Sequence, residues 1–118
     1  MKIPKKIRLN GIDYSVEFVD GLNDGALVLD GRIDHNASII QLNASTQGYQ
    51  QQCITFLHEV CHAFLQIHDF ANAGTDARIP KDEETLVELF ARSMYQFLQD
   101  NGRALFDLKE DNGNDQAN

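Results

Sequence analysis

His58, Glu59, Val60, Cys61 and His62 form the string H-E-V-C-H, and its spacing constrains the fold more than any other feature of the chain. Two histidines at i and i+4 share a face only on an α-helix, one turn apart. There they can hold one Zn²⁺, while the intervening glutamate can take a proton from a water that the ion activates. The flanking residues repeat with the same helical period. Cys53, Leu57, Val60, Phe64 and Ile67 make an apolar stripe. Gln51, Thr55, His58, Glu59, His62 and Gln66 gather on the roughly opposite side. The segment from Asn43-Ala44-Ser45-Thr46 to about His68 is therefore expected to be a helix with one face for packing and one for the motif.

Upstream, the period changes from 3.6 to 2. Ile3 to Leu9 and Tyr14 to Val19 alternate apolar and polar around Asn10-Gly11, a strong hairpin signal. Ala26 to Leu29 and Ser38 to Leu42 read as further strands, separated by the Asp30-Gly31 and His35-Asn36 region. Downstream, Asp69 to Lys81 reads as a loop. A second helix is expected from Asp82 to about Asn101, where Asn101-Gly102 is a stop signal, with a short amphipathic turn after it. Leu86, Val87, Phe90, Ala91, Met94, Phe97 and Leu98 would form its core face. The expected fold is α+β: an N-terminal antiparallel sheet of three to four strands packed on the motif helix and a second, C-terminal helix. One domain would span residues 1–109, leaving an acidic tail, 110–118, that is expected to be disordered.

The net charge of -8 disfavours nucleic acid as a partner, because Lys2, Lys5, Lys6 and Arg8 are the only basic cluster. No apolar run follows that cluster and none approaches membrane-span length, so the expected location is the cytoplasm, without a membrane partner. Cys53 and Cys61, eight positions apart on one helix, are too distant for a disulfide and read as small apolar groups. The oligomeric state is not legible.

A catalytic zinc takes three protein ligands and keeps one open position. His68 follows His62 too closely, and without the glycine, for a metzincin pattern. Cys61 points away from both histidines. Glu84 is in line with Val87, Ala91 and Leu98 and is expected to face inward, and Glu83 competes with it. Glu88, one turn on, could accept a hydrogen bond from a ligating imidazole. Tyr49, His68, Arg78 and Tyr95 are candidates to stabilise an oxyanion. His35, in a turn, reads as a solvent-exposed polar residue.

Together with Glu84-Thr85-Leu86-Val87-Glu88-Leu89-Phe90-Ala91, the H-E-V-C-H string resembles the ImmA/IrrE-type metallopeptidases, small gluzincin-like domains of bacteria, phages and integrated elements. Their second motif runs E-x-x-A-x-x-F-A, met here by Glu84, Phe90 and Ala91, with Val87 in place of the first Ala. The resemblance covers residues 38 to 98 and lacks the family's Leu-Met-Pro ending. It implies a minimal zincin with Zn²⁺ on His58, His62 and Glu84, Glu88 behind the ligands, and Glu59 as general base of peptide hydrolysis. The implied partner is a protein or peptide substrate, a repressor-like regulator among the candidates. By the same analogy Ser38 to Leu42 would line the cleft and pair with an extended substrate. The alternative expectation is a zinc-binding but non-catalytic regulatory module of a phage or mobile element.

Overall fold

The computed structural model describes residues 1–67 and 83–106. The tail, the expected loop, and His68, Arg78 and Asp82 lie outside the described residues. Asn10 and Gly11 both adopt positive φ, 52° and 79°, as a two-residue hairpin turn between twisted strands requires. They join β1 (Lys6–Leu9) to β2 (Ile12–Val19), with Leu9 opposite Ile12 and Lys6 opposite Ser15. A small hairpin, β3 (Asn23–Asp24) and β4 (Leu27–Val28), leads into β5 (Gly31–Asp34) and then β6 (Ile39–Asn43).

The four-stranded sheet runs β1-β2-β6-β5 and is mixed rather than antiparallel throughout. β6 pairs parallel to β2, Val16 opposite Ile40, and antiparallel to β5, Ile33 opposite Ile40. The intervening β3, β4 and β5 give the chain enough length to return beside β2 in the same direction. Two expectations are corrected here. Residues 31–34, read as part of a separating turn region, form a strand. The strand formed by Ile39–Asn43 is hydrogen-bonded on both sides, so β5, and not Ser38 to Leu42, is the edge strand on that side among the described residues.

Alternation puts Ile7, Leu9, Tyr14, Val16, Ile40 and Leu42 on the face covered by helix. The opposite face is polar: Arg8 and Lys6 meet Asp13, and Arg32 Nε donates to Gln41, which donates to Glu17. α1 (Tyr49–Ile67) buries Phe56, Val60, Ala63 and Phe64 against the sheet. It starts later than expected because Asn43 is a strand residue with a buried clamp. Its amide donates to the Leu22 and Leu29 carbonyls, and its Oδ1 accepts from the Ser45 N–H.

α2 (Glu83–Phe106) runs five residues past the expected stop. Asn101 is 5% exposed and acts as a docking group, not a terminator. Its Oδ1 accepts the Arg8 N–H at 2.7 Å and its Nδ2 donates to the Arg8 carbonyl at 2.8 Å, as the peptide of a neighbouring strand would. The same Nδ2 reaches the Phe97 carbonyl, and Leu105 buries one turn later. α2 thus closes the β1 edge. Phe97 and Phe90 meet Phe64 of α1, centroids 6.1 and 6.3 Å apart. Among the described residues no helix is long and apolar enough to cross a membrane.

Candidate metal centre

The centre begins with the fit of β5 against α1. A Cβ placed on Gly31 would lie 2.7 Å from the Thr55 methyl and 3.2 Å from the Gln41 carbonyl, so only glycine lets the edge strand come this close. Thr55 is buried and donates to Gln47 Oε1 at 2.6 Å. The Gln47 amide in turn donates to the Asp30 and Asn43 carbonyls. One side-chain bridge therefore ties helix, edge strand and the end of β6. The next residues along that flank of α1 are His58, Glu59 and His62.

The two imidazoles face each other, Nε2 to Nε2 at 3.2 Å, with centroids 4.8 Å apart and planes at 73°. One ring can donate to the other at this separation. It also matches a shared cation: two Zn–N bonds of about 2.0–2.1 Å at a tetrahedral angle put the nitrogens about 3.3 Å apart. Both histidines are exposed on their outer side, whereas Glu59 is only 6% exposed. Burial raises the Glu59 pKa, and the neighbouring charges of His62 and His58 partly oppose that rise. A cleft lined by Asp30, Gly31, Ile54, Thr55, His58 and Glu59 opens between β5 and the helix.

His58, Glu59 and His62 are thus brought together. Glu84 is exposed in the first turn of α2 rather than turned inward, as are Glu83, Val87, Ala91 and Leu98. The buried side of that helix is instead Leu89, Phe97, Asn101 and Leu105, with Phe90 and Met94 against the core. Glu88 is exposed and pairs with Arg92. Among the described residues no group of three or more His, Cys, Asp or Glu side chains is gathered closely enough to hold a metal ion. Cys53 and Cys61 are free and half-buried, and burial raises the Cys61 thiol pKa.

The oxyanion candidates fare unevenly. Tyr49 is engaged at the N-terminus, donating to the Met1 carbonyl and accepting the Ile3 N–H. Tyr95 is 67% exposed on α2. The residue missed by sequence reading is His35. It is half-buried at the end of β5, its Nδ1 3.2 Å from the Tyr14 hydroxyl and its ring edge-on to the phenol. Burial lowers its pKa, as does the charge of His62, while Asp34 acts oppositely. His35 is therefore within reach of the His62 charge. Nothing local in the sequence signals this, because Tyr14 and His62 are distant along the chain.

The chain matches no protein-family model, and neither a curated protein nor a solved structure matches it. A mixed α+β domain with a histidine pair and a buried glutamate on one helix flank defines the candidate site.

Proposed function

We propose that the protein is a small zinc-dependent metallopeptidase of ImmA/IrrE-like type, encoded by a phage or mobile element and working in the cytoplasm. The observation that carries this reading is the His58–His62 pair, its nitrogens spaced for one cation, with a buried carboxylate beside it. Zinc would be held by His58 and His62, with Glu84 as third ligand, and would supply Lewis acidity and an acidified water. Closing Glu84 onto the pair requires the first turn of α2 to approach α1.

Glu59 is the general base. Its low exposure and raised pKa suit a carboxylate that takes a proton from water and returns it to the leaving amide nitrogen. β5, an edge strand among the described residues, would be the backbone on which an extended peptide, such as a segment of a repressor-like regulator, lies. Glu88 would act behind the ligands only after leaving Arg92.

A second reading, a zinc-binding regulatory module that does not cut, is favoured by the exposed place of Glu84 away from the pair. Metal analysis and a cleavage assay distinguish the two. The enzyme reading expects about one zinc per chain, lost in His58→Ala and in Glu84→Ala, and peptide hydrolysis that Glu59→Gln abolishes without losing zinc. Zinc retained in Glu84→Ala would favour the module, and no zinc in the wild type would end both readings.

A further inference from the structure

We propose that His35 is a catalytic residue of this site, donating a hydrogen bond to the carbonyl oxygen of the scissile peptide as negative charge gathers there, and that Tyr14 positions it. The inference deepens the hydrolytic reading and rests on it.

The edge strand gives the geometry. β5 starts at Gly31, pressed on Thr55 in the cleft that also holds His58 and Glu59. It ends at Asp34, and His35 follows directly. There His35 lines a hollow with Tyr14 and Ala63, the latter next in sequence to His62. The cleft of His58 and Glu59 and the hollow of His35 thus lie towards opposite ends of one strand. Hydrolysis needs a base for the nucleophile and a separate donor for the developing oxyanion, the two converging on one carbonyl from different sides.

Tyr14 can fix which nitrogen donates. Its phenol is buried and stands 3.2 Å from His35 Nδ1. With the phenol O–H donating to Nδ1, the ring proton belongs to Nε2, which becomes the ring's N–H donor. The edge-on ring contact between the two holds the imidazole plane.

The test uses the full-length chain loaded with zinc and acetohydroxamate as the anionic probe. Long-range ¹H–¹⁵N spectra of the imidazoles are expected to show His35 protonated at Nε2. His35→Ala is expected to keep zinc affinity within about threefold of wild type and to bind acetohydroxamate about tenfold more weakly, the scale of one hydrogen bond to a charged acceptor. His35→Gln, whose amide can place an N–H near Nε2, recovers most of that affinity, and Tyr14→Phe falls between. A proton found on Nδ1, unchanged probe affinity in His35→Ala, or a zinc-loaded wild type that ignores the probe would each overturn the proposal while leaving the metal site standing. Loss of zinc in a folded His35→Ala or His35→Gln would also overturn it, making His35 a ligand. A wild type that takes up no zinc removes the hydrolytic reading, and this inference with it.

Discussion

At position 59 a carboxylate loses hydration on folding, and the two neighbouring imidazoles offset only part of that loss, so its pKa rises. A carboxyl with a raised folded pKa binds more protons folded than unfolded. Stability therefore falls as pH rises through the glutamate range and stays depressed above it. Glu59→Gln removes that cost. The metal-free mutant should melt a few degrees above wild type at pH 7, and the gain should vanish below about pH 4, where both states are protonated. Equal melting temperatures at pH 7 would mean the carboxylate is already compensated in the fold. The same substitution should keep zinc and abolish hydrolysis, so stability and activity move in opposite directions, as they do where a site is strained for function. A mutant that cut its substrate at the normal rate would refute the role given to Glu59. Glu84→Ala should weaken zinc far more than Glu83→Ala in a titration, and the reverse order would reassign the ligand.

At the scale of elements, what is local was legible and what is tertiary was not. The Asn10-Gly11 hairpin, the 3.6-residue period of α1 and the facing of His58 and His62 depend on neighbours within a turn or two, and the residues spell them out. β5 was hidden because Gly31-Arg32-Ile33-Asp34 has the composition of a turn. Its strand state comes from pairing with β6 and from the close seat on Thr55. The continuation of α2 through Asn101-Gly102 was hidden for the same reason, since the capping preference of Asn yields to the two hydrogen bonds it makes to Arg8. The inward aim given to Glu84 failed because the helix turns Leu89 and Phe97 to the core, not Val87 and Leu98. Both docking points can be tested by denaturation. Gly31→Ala should cost about 1–3 kcal/mol as β5 is pushed from the helix. Asn101→Ala should cost a similar ~1–3 kcal/mol by leaving the Arg8 backbone groups and the Phe97 carbonyl short of partners. An unchanged midpoint in either would show that the contact is not a seat of the fold.

Over the whole molecule, the core is concentrated where the sheet meets α1 and the later turns of α2, whereas the first turn of α2 contributes little burial. The proposed ligands straddle that division: His58 and His62 sit on the well-anchored helix, and Glu84 on the exposed turn. Zinc bound by all three would therefore join two parts of the chain between which the described residues show little apolar packing, and its binding free energy would become folding free energy. Mass action then sets the scale. Free zinc at about 100 times its dissociation constant should add about 2.7 kcal/mol to the wild type. His58→Ala should lose that increment entirely, because one imidazole and a distant carboxylate do not make a site. Glu84→Ala should lose it as well, and its hydrogen-exchange protection near residues 83–90 should no longer rise with zinc. If zinc stabilises Glu84→Ala as much as wild type, the ion is held on α1 without α2, and the bridging role falls although the histidine pair remains its anchor.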